Sequence, residues 1–241
     1  MKKSVFFIIF ILSIFLSQSA PKYFFQVYQV SPVDESINNY LAYEDAYCII
    51  LYNFWEEGGN VGFQFYNKTN KDIYIDLDDC FFVMNGISFD YYLDKTYTFS
   101  RSHLTDMSEI EKNAIGINAK TKTEVSIKEK KTICIPSRTL KIIKRYNISN
   151  SFYKDNILFK YPTSQQIMTN VFSKTESPFI FSNRISYKLE NTTEIIKVEN
   201  KFYVSSITNL PLVEMLTKYD ITSQAMLENI SSSNEFYVKY K

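Results

Sequence analysis

Histidine, glycine and cysteine are all scarce in this chain of 241 residues. The single histidine, His103, follows the polar run 100–102, so a Ser/His/Asp or Cys/His catalytic pair would depend on that one side chain. Only five glycines are present, and no GxGxxG or Walker pattern occurs to cradle a phosphate. These absences argue against the common enzyme classes. We expect a protein that is not an enzyme, with no catalytic residues and no cofactor.

The three cysteines, Cys48, Cys80 and Cys134, are far apart, and each lies in a strand-like segment. Structural zinc sites recruit several Cys and His residues at close spacing, so we expect no metal there. In an oxidising compartment one disulfide is open to these residues, and the sequence does not choose among the three pairings. The alternative is that all three are buried free thiols, because the residues around them are apolar.

Neither sign of charge dominates, since 27 Lys and Arg residues balance 26 Asp and Glu residues. A nucleic-acid-binding surface normally carries a basic excess, so we expect no nucleic acid among the partners. Four aspartates offer oxygen ligands to calcium, but they lack EF-hand spacing, and alternate residues of a strand are too far apart to share one ion. We interpret these four aspartates as the solvated face of a strand. The four are Asp72, Asp76, Asp78 and Asp79.

Long apolar runs are absent after the N-terminus. Lys2 and Lys3 precede an apolar run at 5–16, and the small residues Ser17 and Ser19 suit cleavage before Ala20. We predict a signal peptide over 1–19. The alternative is a retained N-terminal anchor, although this run is short for a membrane span. The mature chain is expected to have no transmembrane segment and to be exported, either periplasmic, outer-membrane-associated or extracellular.

Aromatic residues make up 17% of the chain, a composition typical of β-strands. Residues 61–92 hold the clearest pattern, because apolar residues alternate with polar ones at 61–65 and again at 73–77. Asn85-Gly86 favours a two-residue hairpin turn. That turn predicts a register in which Met84 faces Ile87, Phe82 faces Phe89 and Cys80 faces Tyr91, all on one apolar face.

Three further features complete the fold prediction. The glycine-rich loop 56–60 indicates a hairpin between 46–55 and the strand at 61, and a second hairpin is predicted for 179–189 and 195–204. Pro211 suits the start of a short helix. We therefore predict an all-β, immunoglobulin-like antiparallel sandwich as a single domain over 20–241. It carries a polar surface insert at 94–131, with a short helix near 106–113, and a short C-terminal helix.

Two segments with a distinctive sequence are WEEGGNVGF at 55–63 and ICIP at 133–136. Further segments of this kind are 25–28, 66–75, 82–86, 177–179 with 182–185, and 199–204. Together they resemble a family of uncharacterised exported, lipoprotein-like proteins of anaerobic Gram-negative bacteria of the Bacteroidetes type. The resemblance implies an envelope protein without an established activity. Many members carry a cysteine just after the signal, and this chain has none before Cys48.

The sequence leaves two hypotheses for function. The first is a non-catalytic envelope or secreted protein that binds another envelope or extracellular protein through edge strands or loops. The second is a carbohydrate-binding module for glycans, in which exposed aromatic faces stack on sugar rings. The candidate stacking residues are Trp55, Tyr91 and Tyr92.

Overall fold

The structure is a computed structural model, and it describes residues 22–34, 37, 41–103, 121–230 and 232–241. The predicted signal peptide and the short helix expected near 106–113 lie outside these residues. No helix in the described part of the chain has the length and apolarity needed to span a membrane.

The described chain is almost entirely antiparallel β-structure. Its strands are β1 (Phe24–Pro32), β2 (Ala42–Glu44), β3 (Cys48–Tyr52), β4 (Phe63–Asn67), β5 (Ile73–Asp76), β6 (Phe81–Met84), β7 (Ile87–Asp90), β8 (Thr96–His103), β9 (Thr121–Lys128), β10 (Thr132–Ile135), β11 (Leu140–Ile143), β12 (Thr169–Val171), β13 (Ile180–Leu189), β14 (Ile196–Pro211) and β15 (Glu235–Tyr240). One short helix, α1 (Leu212–Lys218), follows Pro211. The prediction of an all-β antiparallel sandwich with a short C-terminal helix is confirmed.

Two sheets form the sandwich. The large sheet has the order β10-β5-β13-β14-β1-β15; in addition, β12 pairs with β14, and β6 pairs with both β13 and β7. The small sheet has the order β11-β4-β3-β2. Aromatic side chains fill the space between them: the Phe202 ring lies 4.8 Å from that of Tyr52 and 5.0 Å from that of Phe54. Phe65 of the small sheet packs edge-on against Tyr187 of the large sheet at 5.3 Å.

The predicted hairpins are confirmed. β3 pairs with β4, and β13 pairs with β14. Asn85 and Gly86 have φ angles of 47° and 83°, and β6 and β7 pair with Phe82 opposite Phe89, as the two-residue turn predicted. The polar turn after β4 does not form a hairpin. The chain there crosses from the small sheet to the large one, where β5 pairs with β10 and β13.

A third layer covers part of the outer face of the large sheet. Helix α1 and the 3-10 helix Gln224–Asn229 pack on β1 and β15 over a second apolar cluster. Glu235 ties this layer to the sheet, because its carboxylate accepts hydrogen bonds from Lys218 Nζ at 2.7 Å and Tyr219 Oη at 2.9 Å. Strand β1 is consequently buried on both faces, which explains its nearly continuous run of apolar residues.

The segment 94–131, which we predicted to be a polar surface insert, contains a two-stranded hairpin that was not predicted, with β8 and β9 paired along their whole length. β-Branched residues recur at every second position of β9, and β8 begins with the alternating aromatic residues Tyr97 and Phe99, but the many polar residues between them obscure this pattern. His103 lies in β8 opposite Thr121.

All three cysteines are free thiols. Cys48 and Cys80 are buried, as one of the two alternatives predicted, and burial is the main reason that the pKa of the Cys80 thiol rises to about 12. The expectation of burial was wrong for Cys134. Its strand, β10, is at the end of the large sheet, and the Cys134 side chain is exposed on the outer face.

A carboxylate in the turn between β2 and β3 joins the two sheets. Asp45 Oδ2 accepts a hydrogen bond of 2.6 Å from Tyr187 Oη on the large sheet, and Oδ1 accepts bonds from the backbone N–H groups of Tyr47 and Cys48. Burial alone would raise the pKa of Asp45, but these hydrogen bonds outweigh it and hold the pKa below its ordinary value.

The depressed pKa of Asp45 makes its contribution to stability depend on pH. A carboxylate whose folded pKa lies below its unfolded pKa stabilises the protein above the unfolded value, about 3.9, and loses that contribution as pH falls through the folded value. We expect Asp45→Asn to lower the free energy of unfolding by about 1–2 kcal/mol at pH 7, since the partly exposed site is screened by water. The difference from wild type should shrink as pH falls from 5 to 2.

Urea unfolding followed by the fluorescence of the single tryptophan measures this effect. Asp78→Asn is the matched control, because Asp78 is an exposed carboxylate in a 2.7 Å surface ion pair with Lys131. Its effect should stay within about 0.5 kcal/mol. A difference for Asp45→Asn that does not change with pH would contradict the prediction.

Candidate functional site

The structure places Trp55 inside the outer layer rather than on the surface. Its side chain is 8% exposed, and its indole Nε1 donates a hydrogen bond of 2.6 Å to the Leu227 carbonyl. Its ring lies 4.7 Å from that of Tyr219 and 5.1 Å from that of Tyr237. Both faces of the indole are therefore covered by protein, and neither is free to stack on a sugar ring.

The other two candidate stacking residues, Tyr91 and Tyr92, lie in different surroundings from Trp55. Tyr91 is fully buried between the sheets, where its hydroxyl donates to Asn183 Oδ1 at 2.7 Å. Tyr92 is half-buried, and its hydroxyl donates to Asp94 Oδ1 at 2.7 Å. The structure thus brings none of these three rings together into one aromatic surface.

A cleft of about 660 Å³ lies on the outer face of the large sheet. Its walls come from β5, β10, β13 and the loop 190–195. Asp76 and Asp79 line it, but no group of three His, Cys, Asp or Glu side chains in the described ranges is placed to hold a metal ion. Asp76 instead accepts a hydrogen bond from the Asp78 backbone N–H at 3.3 Å.

Strand β7 has an unpaired edge. Among the described strands it pairs only with β6. The Tyr91 N–H donates to the Cys80 carbonyl, and bonded and non-bonded pairs alternate along an antiparallel ladder. The pairs Phe82–Phe89 and Met84–Ile87 are therefore the hydrogen-bonded ones. The backbone groups of Ser88 and Asp90 consequently point away from β6. We refer to this side of residues 87–90 as the β7 edge.

Apolar side chains accompany the β7 edge. Ile87 is 62% exposed and Phe89 is 40% exposed. Both share a face with Phe82, which is buried. We predicted this face to be apolar, which is correct. Its β7 end is open to solvent, because Ile87 and Phe89 are exposed there.

A groove of about 510 Å³ runs between this face and the loop 144–150; we call it the hairpin groove. Its floor is aromatic: the ring of Tyr146 lies 5.6 Å from Phe82 and 5.9 Å from Phe89. Burial raises the pKa of Tyr146, and its hydroxyl donates to the Asp90 carbonyl. Met84 and Ile148 complete the apolar lining, and Asn147 and Asn150 supply amides at the rim.

A buried ion pair fixes the rim of the hairpin groove. Arg145 pairs with Glu129, and the two side chains are only 17% and 7% exposed. The other oxygen of Glu129 accepts hydrogen bonds from the backbone N–H groups of Leu93, at 3.0 Å, and Lys95, at 3.2 Å. The segment that follows β7 is consequently tied to the loop that forms the opposite wall, and the groove is preorganised.

Three of the other sheet edges described are protected where β7 is not. β11 carries Lys141 and is followed by Lys144 and Arg145, and such charges on an edge strand oppose pairing with another chain. β2 is only three residues long. β15 is bridged by the loop before Gly58, whose N–H donates to the Tyr237 carbonyl at 2.7 Å. β7 has neither lysine nor proline.

With this geometry established, comparison of the chain with protein-family models, with curated proteins and with solved structures finds no match. The candidate site therefore depends on the chain's own residues. Sequence reasoning missed Tyr146, Arg145 and Glu129 as groove residues, because they are distant in sequence from β7. The available signal was Ile87 and Phe89 next to a hairpin turn, in a strand with no lysine or proline to protect its edge.

Proposed function

We propose that the protein binds an extended segment of another protein, which adds a strand to the β7 edge and inserts apolar side chains into the hairpin groove. The observation that carries this proposal is the coincidence of an open backbone edge with exposed apolar side chains at Ile87 and Phe89. The Ser88 backbone groups and the Asp90 N–H point away from β6 without a partner among the described residues, whereas the Asp90 carbonyl is held by Tyr146. Strand addition derives affinity from main-chain hydrogen bonds and specificity from pockets for alternate side chains.

The groove limits the chemistry of the partner. Phe82, Phe89 and Tyr146 present carbon-rich surface, and the Arg145 charge is already neutralised by Glu129. A partner segment should therefore have apolar, preferably aromatic or β-branched, residues at alternate positions, with polar residues between them. Such a segment belongs to an exported envelope or extracellular protein in the compartment that the N-terminal sequence predicts.

Selection from a displayed library of random ten-residue peptides tests the proposal directly. We expect enrichment of sequences with alternating apolar residues. Ile87→Glu should weaken binding of the selected peptides by about tenfold or more, since a buried Ile side chain contributes roughly 1.5–3 kcal/mol. Ser88→Pro should weaken it too, because proline removes an outward N–H without breaking the ladder to β6.

Ile142→Glu is the matched control. Ile142 is 63% exposed and lies on the edge strand β11, so this variant introduces the same charge at the same exposure elsewhere. Peptide affinity should be unchanged in this variant, and the unfolding midpoints of all variants should be compared. Selected peptides that bind wild type, Ile87→Glu and Ser88→Pro equally well would refute binding at the β7 edge.

A further inference from the structure

Aromatic rings and lysines gather at one end of the large sheet, away from β7. β1 begins there, and β14 and β15 end there, since Phe24 lies opposite both Pro211 and Tyr240. The loop 157–161 packs against the same end, because Tyr240 Oη donates to the Lys160 carbonyl at 2.5 Å. We call this surface the basic end. Its residues are Tyr23, Phe159, Lys160, Tyr161, Lys239 and Lys241.

The lysines of the basic end are held over aromatic rings rather than by carboxylates. Lys239 Nζ and Lys241 Nζ lie 3.9 and 4.9 Å from the centroid of the Tyr23 ring, and Lys160 Nζ lies 4.8 Å from that of Tyr161. None of the three forms an ion pair with another described residue. Six other described lysines do have carboxylate partners, namely Lys68, Lys128, Lys131, Lys144, Lys201 and Lys218. The basic end therefore carries a positive charge that the neighbouring residues do not neutralise.

Exposed apolar side chains lie beside these charges. Phe159 is 51% exposed, and Ile157 and Tyr161 are exposed to a similar degree. The loop that carries them is fixed to the sheet: Asn209 Nδ2 donates to the Phe159 carbonyl at 2.9 Å, and Tyr161 Oη donates to the Lys241 carbonyl at 3.1 Å. Apolar side chains held outward next to unneutralised lysines are typical of surfaces that lie in a membrane interface.

The course of the chain favours the same partner. Residue 22 lies at the basic end, and the chain before it includes the apolar run at 5–16. About five residues separate this run from residue 22, and an extended chain spans at most roughly 3.3–3.6 Å per residue. Where the apolar run is retained, as in the anchor alternative, the bilayer that holds it would therefore be close to the lysines of the basic end; after cleavage before Ala20 the basic end alone would make the contact.

We propose that the basic end binds an anionic lipid surface. Lys160, Lys239 and Lys241 would contact headgroup phosphates, while Phe159 and Ile157 enter the boundary between headgroups and acyl chains. This surface is separate from the β7 edge, which would remain free to bind a partner protein. The inference does not depend on that partner.

Co-sedimentation of the full chain with vesicles tests the proposal, with the intact mass recorded to define the N-terminus. We expect binding to phosphatidylcholine vesicles with 30% phosphatidylglycerol to exceed binding to phosphatidylcholine alone, and to weaken as NaCl rises from 0.1 to 0.5 M. The triple variant Lys160→Gln, Lys239→Gln, Lys241→Gln should lower the partition coefficient for anionic vesicles on the order of 100-fold, from about fivefold for each lysine near the surface.

The control is the triple variant Lys71→Gln, Lys188→Gln, Lys197→Gln, which changes the net charge equally at exposed lysines elsewhere and should retain binding. Phe159→Ser should weaken binding about tenfold, because the variant removes the ring that inserts between headgroups and acyl chains. A contact with headgroups alone would not be changed by this substitution. Equal losses in the two triple variants, equal binding to neutral vesicles, no binding by wild type, or no effect of Phe159→Ser would each overturn the proposal.

Discussion

Replacing Phe202 with alanine is expected to lower the free energy of unfolding by about 3–5 kcal/mol. Phe202 lies on β14, in the middle of the large sheet, and its side chain is fully buried. Its ring contacts Tyr52 and Phe54 across the interface between the sheets, at 4.8 and 5.0 Å, and Phe181 beside it, at 5.6 Å. Alanine would leave a cavity that these rigid rings cannot fill by rotating. The loss in the free energy of unfolding should therefore be near the upper end of this range.

Urea unfolding gives the comparison with Phe159→Ala, in which the same side chain is removed from a surface position that is 51% exposed. That variant should change stability by less than about 1 kcal/mol. Tryptophan fluorescence reports the transition, because the one tryptophan of the chain packs in the outer layer on the same sheet. A loss below about 1.5 kcal/mol for Phe202→Ala would mean that the two sheets do not close over this ring.

Local pattern was sufficient to predict the strands and hairpins whose partners are near in sequence. Alternation at Phe63 and Phe65 and at Ile73 and Ile75 specified the buried face of two strands, and the turn at Asn85 specified the register of β6 and β7. These features depend on side-chain period and turn geometry, both of which are encoded within about ten residues.

Features set by distant packing were not predictable in the same way. Trp55 is buried because Tyr219 and Leu227 of the outer layer and Tyr237 of β15 pack around it, and Tyr219 is more than 160 residues away in sequence. The sequence around Trp55 is the same whether or not this layer covers it. The exposure of Ile87 has the same origin, since alternation identifies an apolar face but not the element that covers it.

The candidate site combines a feature encoded locally in the sequence with one that depends on distant packing. The backbone edge and apolar face of β7 could be predicted from the sequence, whereas the groove beside it could not. Tyr146 and Arg145 reach β7 only because β11 is paired with β4 at the edge of the small sheet, which directs the chain after β11 past β6. In a binding surface on a strand edge, the edge strand itself can therefore be predicted from its own sequence. The residues that distant parts of the chain contribute cannot.

Replacing Gly59 with alanine should destabilise the protein by about 2–5 kcal/mol. Gly59 has a φ angle of +76°, which costs an L-residue roughly 1–2 kcal/mol. A Cβ atom there would also lie 2.8 Å from Cγ of the Phe236 ring and 2.9 Å from Cδ1 of Ile148. Both neighbours are buried, so relieving the overlap would displace core side chains, at a further cost of roughly 1–3 kcal/mol.

Gly86→Ala separates the two contributions. Gly86 has a similar φ angle, +83°, but an added Cβ would meet no atom within 4 Å. This variant should therefore show the backbone cost alone, about 1–2 kcal/mol, and the difference between the two variants measures the overlap with Phe236 and Ile148. Equal unfolding midpoints for the two variants would show that the loop 56–60 shifts to relieve the overlap, without displacing Phe236 and Ile148. The tight contact between this loop and β15 would then contribute little to holding the small sheet against the large one.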